Sequence, residues 1–326
     1  MPASTSVSLR ELAPADYEPV VELGNRTFPD YPWSVEDMRH GDETWDNEKL
    51  FRRRLVAEVG GRIVGFGEIA HRRWAFVADK YRVDVWVGTD DRRQGIGSAL
   101  YDALERTARE RGARVLTGST KEEWTDGVRF AETRGYREVK RDWESRLDVG
   151  TFDMERFAGA PARVAEQGIR IVTLAGEMAR DGEVALQRAY DLDVDCTRDV
   201  PMTDAFTPQP FETWRKEVIE GPSALTEAFF IAVDRDGRYL GVSNLWLAKE
   251  DPTFLWQGLT GVRRDARGRG IAMALKLRTV EYARATGRRE IKTWNDQRNR
   301  PMLRINEAMG FVKQPAWIEY DKGLAR

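Results

Sequence analysis

The 326-residue sequence is poor in the residues that build metal and redox sites. It contains one cysteine, Cys196, and two histidines, His40 and His71. A single cysteine excludes an internal disulfide and any zinc site that needs paired thiolates. Because the two histidines do not have the spacing of metal ligands, we expect no metal site.

Long apolar runs and an excess of charge are also missing. The longest runs, such as AFFIAV, are far shorter than the roughly 18 residues of a membrane span. The opening MPASTSVSLR lacks the regions of a signal peptide, so we expect a cytoplasmic protein without a membrane partner. Fifty-two Lys and Arg residues face 54 Asp and Glu residues, which argues against a nucleic-acid partner. The sequence does not indicate an oligomeric state.

The sequence does contain an internal repeat. The stretch TDDRRQGIGSAL at 89–100 nearly recurs in RRDARGRGIAMAL at 263–275. Gly95 and Gly270 are 175 positions apart, and the later Gly-aromatic pairs at 135–136 and 310–311 keep the same offset. A fixed offset of this kind indicates a duplicated unit. We predict one domain over 1–150 and a second over 168–326, joined by a linker over 151–167.

Both halves show the same order of elements. A helical opening segment leads to three strands, a loop rich in Gly and Arg, and a helix; a strand, a second helix and closing strands follow. Each half is therefore predicted to be an α/β domain in which a mixed, mostly antiparallel sheet is flanked by helices.

The repeated loop is suited to an anion. A strand, a short glycine loop and a helix gather unpaired backbone N–H groups at the positive end of the helix dipole. We expect the nearby arginines to add positive charge; they are Arg92, Arg93, Arg263, Arg264, Arg267 and Arg269. The patterns G-x-x-x-x-G-K-[ST] and G-x-G-x-x-G after a strand are both missing from the sequence, which excludes the common nucleotide loops. A plain helix start with solvated arginines remains the alternative for either loop alone.

The stretches RRQGIG and RGRGIA resemble the acetyl-CoA pyrophosphate loop of the GNAT acetyltransferase superfamily, Gln/Arg-x-x-Gly-x-Gly/Ala. The resemblance covers nearly the whole chain and implies a tandem GNAT protein that uses acetyl-CoA. It implies that the first loop binds pyrophosphate through Val87, Arg92, Arg93, Gln94, Gly95, Ile96 and Gly97. In the second loop the corresponding residues are Val262, Arg267, Gly268, Arg269, Gly270, Ile271 and Ala272. Pantetheine is expected in a cleft where the third strand diverges from the next one.

The two copies differ downstream of the loop. The second half carries Asn295, Asn299 and Asn306, and similar asparagines in GNAT proteins contact pantetheine amides. At the same offset the first half has Thr120, Trp124 and Ala131. We therefore expect the second domain to keep the better acetyl-CoA site, although helix caps and polar surface are the alternative for the asparagines.

The resemblance also implies direct attack of a small-molecule amine on the thioester, which needs a base and an acid. Many GNAT enzymes place a tyrosine acid where this chain has Asn306 and Ala131. For the second domain we therefore consider Asn306 itself, Tyr320 as a substitute acid and Glu319 as a base, with ordinary packing as the alternative. In the first half Glu68 and Asp84 are candidate bases. A non-catalytic acyl-CoA-binding protein and a protein with two active domains remain alternative functions.

Overall fold

The computed structural model describes residues 7–325, which form two compact units. Unit 1 comprises 7–141, Thr203–Thr207 and 316–325, and unit 2 comprises Asp142–Met202 and Pro208–Pro315. No helix in the part of the chain that the structure describes is long and apolar enough to cross a membrane.

Strands and helices follow the predicted order in both halves. In chain order the strands are β1 (Ser8–Glu11), β2 (Arg52–Val59), β3 (Arg62–Ala70), β4 (Lys80–Val87), β5 (Val115–Lys121), β6 (Arg137–Asp148), β7 (Arg170–Thr173), β8 (Ala224–Val233), β9 (Tyr239–Leu247), β10 (Phe254–Val262), β11 (Glu290–Asp296), β12 (Val312–Lys313) and β13 (Trp317–Gly323). The helices are α1 (Tyr17–Thr27), α2 (Val35–Glu43), α3 (Ile96–Glu110), α4 (Thr125–Thr133), α5 (Gly159–Glu166), α6 (Leu174–Asp181), α7 (Glu183–Thr197), α8 (Phe211–Trp214), α9 (Ile271–Ala285) and α10 (Arg300–Met309).

The sheet of unit 1 has the strand order β1-β2-β3-β4-β5-β13. Strands β4 and β5 pair in parallel, and the other neighbours pair antiparallel. One face packs on α3, whose Leu100 and Leu104 are buried against Leu116 of β5. Because these α3 side chains recur at helical spacing, they form one apolar stripe toward the sheet. The other face packs on α1 and α2, with Val20 and Met38 in its core.

The sheet of unit 2 has the order β6-β11-β10-β9-β8-β7, again with one parallel pair, β10 and β11. Helix α9 covers one face through Ile271 and Leu275, and α7 covers the other through Leu192. Both sheets are therefore mixed, mostly antiparallel and flanked by helices, which confirms the predicted fold class.

The closing strands are exchanged between the two halves of the sequence. Strand β13 pairs with β5 from Trp317–Lys121 to Gly323–Val115, so it completes the sheet of unit 1. Strand β6 pairs with β11 from Asp148–Glu290 to Asp142–Asp296, so it completes the sheet of unit 2. A boundary near residue 150 therefore does not separate the units, because strand pairing joins segments that are distant in sequence.

Two further segments differ from the predicted boundaries. Residues 151–167, expected to be a linker, contain α5 and place Phe152, Ala160 and Val164 in the core of unit 2. These apolar residues bury against α9, which a solvated linker does not do. Thr203–Thr207 lies in unit 1, where the Thr207 N–H donates to the Trp74 carbonyl at 2.8 Å.

Candidate active site

The two glycine loops have nearly the same backbone. Gly95 and Gly270 both have a φ of +82°, a left-handed conformation that glycine adopts readily, and α3 and α9 begin at the next residue. Arg92 and Arg267 both fold back to the end of the preceding strand. Their Nε atoms donate to the carbonyls of Val87 and Val262 at 3.2 and 3.0 Å. Each loop thus forms the strand–loop–helix turn that was predicted to hold an anion.

One position in the first loop is strained. Arg93 has a φ of +64°, whereas its counterpart in the second loop, Gly268, has a φ of +76°. A left-handed conformation is uncommon and costly for a residue with a Cβ. The first loop therefore keeps the shape of the second although its sequence does not favour that shape.

The arginines of the second loop are not the unpaired positive charges that we expected. Arg264 donates from Nε to Asp199 at 3.0 Å, and Arg267 also pairs with Asp199. The hydrogen bonds from Arg264 and Arg267 lower the pKa of Asp199 to about 2, so this carboxylate stays ionised at neutral pH. Arg263 pairs with Asp195 in the same way. Asp195 lies at the end of α7, and Asp199 lies in the turn after it. Both are far from the loop in sequence, so the sequence alone did not indicate that they neutralise its arginines.

The remaining arginine, Arg269, pairs with a neutral side chain. Its Nε donates to Gln167 Oε1 at 2.9 Å, and Gln167 Nε2 donates back to the Arg269 carbonyl at 3.1 Å. The backbone N–H groups, the positive end of the helix dipole and Arg269 are therefore less compensated by carboxylates than Arg264 and Arg267.

The parallel strands separate beside each loop. In unit 1, β4 and β5 pair over Lys80–Arg82 and Val115–Thr117. In unit 2, β10 and β11 pair over Phe254–Trp256 and Glu290–Lys292. The rest of each strand continues past these pairs toward the loop, so both units have the diverging strands that the resemblance implies.

Strand β10 contains a bulge at this point. Gln257 pairs with Leu245 and Thr260 pairs with Ser243, so three steps on β10 match two on β9. Gly258 and Leu259 therefore face the single residue Asn244, and a bulge of this kind leaves an extra residue outside the hydrogen-bond ladder. In unit 1, by contrast, β3 and β4 pair residue for residue from Gly65–Val87 to Ala70–Arg82.

Two asparagines lie together beside the diverging strands of unit 2. Asn306 Nδ2 donates to Asn295 Oδ1 at 2.6 Å, and Asn306 is only 2% exposed. Asn306 Oδ1 is buried without a hydrogen-bond partner among residues 7–325. A buried acceptor without a partner is costly, and it fits an amide N–H such as those of pantetheine. Asn299 is instead the N-cap of α10 and accepts from the Met302 N–H at 3.4 Å.

A family model described as the acetyltransferase (GNAT) family matches residues 17–136 and 186–311. The chain belongs to the GNAT acetyltransferase family. Its two matches correspond to the two loops, so the tandem arrangement predicted from the repeat is confirmed. As a GNAT chain it is an acetyl-CoA-dependent N-acetyltransferase, rather than the non-catalytic binding protein kept as an alternative above.

Similar proteins have the same tandem layout or the same activity class. A mycothiol acetyltransferase of Actinosynnema mirum is 26% identical over 276 residues, which cover 82% of each chain. A mycothiol acetyltransferase of Thermobifida fusca is 26% identical over 261 residues, 73% of each chain. A tandem GNAT protein from the clavulanic acid biosynthesis pathway shares the fold at a TM-score of 0.71 and 21% identity, covering 98% of this chain and 99% of that one. A GCN5-related N-acetyltransferase from Sphaerobacter thermophilus shares it at 0.68 and 21%, covering 97% and 95%.

Two of the catalytic candidates are not in the unit to which we assigned them. Tyr320 lies in the core of unit 1, where burial raises the pKa of its hydroxyl. Glu319 lies on the other face of β13, accepts from Thr203 Oγ1 at 2.7 Å and pairs with Arg72 at 2.9 Å. Assigning Glu319 and Tyr320 to the second GNAT domain was therefore wrong, because β13 is exchanged. The residue at the equivalent position in unit 2 is Glu144, which is fully buried and pairs with Arg146 at 2.7 Å.

The candidate bases of unit 1 are neighbours. Glu68 and Asp84 face each other across β3 and β4, and Arg82 binds Asp84 with two hydrogen bonds of 2.6 and 2.9 Å. Burial, and then the charge of Asp84, raise the pKa of Glu68. Unit 1 thus holds a carboxylate with a raised pKa on the strand next to its diverging pair.

Sequence reasoning missed two ionisable residues of unit 2. Asp193 lies on α7, and burial raises its pKa to about 6. Lys276 lies on α9, is 1% exposed, and has a pKa that burial lowers to about 7. Perturbed values of this kind are enriched at functional sites. The sequence around Lys276, ALKLR, did place a lysine between two apolar residues, which was the available signal.

Proposed function

We propose that this enzyme transfers the acetyl group of acetyl-CoA directly to a small-molecule amine in a ternary complex, with the chemistry in unit 2. The bulge of β10 is the observation that carries the proposal. It lies where β10 diverges from β11, in the unit that also holds the Asn295–Asn306 pair and the second loop. We propose that the second loop, Asn295 and Asn306 hold the cofactor.

The bulge supplies what the reaction needs from the backbone. Bound acetyl-CoA supplies an activated acetyl thioester, and attack by an amine places negative charge on its carbonyl oxygen. A backbone N–H group of Gly258 or Leu259, outside the ladder, can donate to that oxygen, and preorganised donors of this kind contribute strongly to acyl transfer. In unit 1 the pairing of β3 with β4 is regular, so no extra residue stands outside the ladder at the equivalent position.

A buried acceptor atom on the other side of the bulge suits the incoming amine. Asn244 lies directly opposite Gly258 and Leu259, and its Oδ1 is buried without a hydrogen-bond partner among residues 7–325. Side chains alternate along a strand, so Asn244 shares a face with Val242, which packs in the core formed by α7. An N–H of an amine approaching from the α7 side would satisfy this oxygen.

Asp193 is our candidate for the proton acceptor. It lies one helical turn before Cys196, whose Cβ approaches Gly261 of β10, so this part of α7 covers the end of β10. A carboxyl group with a pKa of about 6 is ionised at neutral pH and can still accept a proton efficiently. Cys196 itself is buried and burial raises the pKa of its thiol to about 12, which disfavours a nucleophilic role.

The relatives favour a small-molecule acceptor. Two of them are mycothiol acetyltransferases, and both align with most of this chain. We therefore propose that the acceptor is a small polar amine, to be found in a panel of amino acids, amino sugars, polyamines and aromatic amines.

The substitution Gly258→Ala tests the bulge. A Cβ at this position would lie 2.5 Å from Asn244 Oδ1 and still closer to Trp246 Nε1, so the bulge or these two side chains must move. We expect amine-dependent CoA release to fall by about 100-fold or more, the size seen when one oxyanion donor is lost. Gly41→Ala on α2 is the control, since a Cβ there meets nothing within 4 Å. Full activity of the Gly258→Ala variant would contradict the proposal.

A second candidate function is acetyl transfer in unit 1 as well. The first loop keeps the shape of the second despite the strain at Arg93, and the pKa of Glu68 is raised; both observations favour this function. Glu68→Gln separates the possibilities: an unchanged rate with every amine of the panel would leave unit 2 as the single active unit.

A further inference from the structure

A buried polar network joins α9 to both sides of the bulge in unit 2. Gln257, the residue before the bulge, donates from Nε2 to Ser243 Oγ at 3.1 Å and to the Asn244 carbonyl at 2.8 Å. Ser243 Oγ in turn contacts Thr260 Oγ1, the residue after the bulge, at 2.8 Å. The side chain of Gln257 therefore connects the two ends of the irregular segment through β9.

The other end of the Gln257 amide is held by α9. Its Oε1 accepts from Lys276 Nζ at 3.3 Å and lies 3.2 Å from Thr279 Oγ1, whose single hydrogen also faces the Lys276 carbonyl at 2.7 Å. The amide nitrogen thus donates two hydrogen bonds, and the amide oxygen accepts from Lys276. Such an amide has one orientation, because a flip would place donors against donors.

A lysine at position 276 is energetically unfavourable, because its side chain is buried. It is 1% exposed, its Nζ lies 4.6 Å from the centre of the Phe311 ring, and no carboxylate among residues 7–325 forms an ion pair with it. Burying an ammonium group without a counter-charge is unfavourable, and an apolar side chain of the same length would pack there at less cost. The fold therefore does not explain a lysine at this position.

The network is present in the unit that has the bulge and is replaced in the unit that does not. At the same 175-residue offset, unit 1 has Tyr101 and Leu104 in place of Lys276 and Thr279. Leu104 lies in the apolar core of unit 1, and the strands there pair regularly. Helices α3 and α9 follow the glycine loop in the same way in the two units. The polar residues are therefore found on the helix that packs beside the irregular strand.

We propose that Lys276 is a positioning residue: it fixes the amide of Gln257, which holds the β10 bulge in the shape that aims a backbone N–H at the reacting carbonyl. This inference rests on the proposed site in unit 2. Lys276 acts through Gln257 and does not touch the substrates. Its loss should therefore reduce turnover without weakening acetyl-CoA binding.

The test compares full-length Lys276→Met and Thr279→Val with the wild type. Methionine keeps the length and removes the charge and the donor. Valine keeps the shape of threonine and removes the hydroxyl that lies 3.2 Å from Gln257 Oε1. We expect kcat with the best amine of the panel to fall by at least about 10-fold in Lys276→Met and by less in Thr279→Val. The dissociation constant of acetyl-CoA, measured by calorimetry, should stay within twofold. Tyr101→Phe, the matched position in unit 1, should leave kcat unchanged.

A second readout does not depend on activity. The amide ¹H–¹⁵N signals of Gly258 and Leu259 should shift in both unit 2 variants and stay in place in Tyr101→Phe. Unchanged signals, or a kcat within twofold of the wild type in folded Lys276→Met, would overturn the inference. So would an acetyl-CoA dissociation constant that rises in proportion to the loss of kcat, because Lys276 would then act in binding. If the wild type shows no amine-dependent CoA release, the proposed function fails, and the amide signals still decide whether Lys276 controls the bulge.

Discussion

Replacing Lys276 by methionine should stabilise unit 2 although it harms catalysis. Burial lowers the pKa of Lys276 from 10.5 to about 7. At about 1.4 kcal/mol per pKa unit, the charged form is disfavoured in the folded state by about 5 kcal/mol. Methionine removes this cost and loses one hydrogen bond to Gln257, worth about 1 kcal/mol. We therefore expect Lys276→Met to raise the free energy of unfolding by about 2–4 kcal/mol near neutral pH.

The pH dependence of stability tests the sign of this effect independently. The folded pKa of Lys276 lies below its unfolded value, so between pH 7 and 10.5 the unfolded chain binds the extra proton. The stability of the wild type should therefore rise with pH through this window relative to the variant, and the difference should be largest below about pH 7. Because the chain has two units, hydrogen exchange of α9 amides at pH 6.5, 8 and 9.5 is a better assay than one global unfolding curve.

Lys80 in unit 1 is the matched control, with the opposite expectation. It is 9% exposed and pairs with Asp204 at 2.9 Å and Asp321 at 2.8 Å. Lys80→Met leaves Asp321 without its cation and Asp204 with only Arg72 at 4.0 Å, and it should destabilise unit 1 by about 3–5 kcal/mol. If Lys276→Met lowers the protection of α9 at every pH, or if both substitutions change stability in the same direction, the reasoning about buried charge is refuted.

Two other substitutions probe the site of unit 2. Asp199→Asn should free Arg264 and Arg267 for phosphate and tighten acetyl-CoA binding about 2- to 5-fold at low salt, as measured by calorimetry. The control is Asp265→Asn, because Asp265 pairs with Arg238 instead. Equal effects of the two substitutions would rule out a specific role for Asp199. Asp193→Asn should lower kcat and remove the rise of kcat with pH near 6. Burial raises the pKa of this carboxyl to about 6, and only its ionised form accepts a proton. A pH profile of the variant that keeps this rise would exclude Asp193 as the base.

The repeat allowed much of the fold to be predicted. The fixed offset between Gly95 and Gly270 placed both loops, and the helical spacing after each glycine placed α3 and α9. The exchange of β6 and β13 could not be predicted in this way. Strands β6 and β13 have the same position in their halves of the sequence, so the pattern fits either sheet equally well. Which sheet each strand joins depends on contacts between residues that are distant in sequence.

The site was harder to predict because it depends on contacts that are distant in sequence. The pairing of Arg264 and Arg267 with Asp199 joins residues more than sixty positions apart. At the bulge, Gly258 lies so close to Asn244 and Trp246 of the neighbouring strand that a Cβ would collide with both. Lys276 lies on α9, and a lysine usually faces solvent, so only the structure could show that this one is 1% exposed.

Blocking each loop in turn tests the central claim, that unit 2 carries out the acetyl transfer, most directly. Steady-state CoA release with the best amine of the panel would be measured for the wild type, Ala272→Trp in the second loop and Gly97→Trp in the first. We predict that Ala272→Trp abolishes transfer above the rate of hydrolysis and that Gly97→Trp retains it. Loss of transfer in Gly97→Trp with normal transfer in Ala272→Trp would contradict the account and assign the chemistry to unit 1.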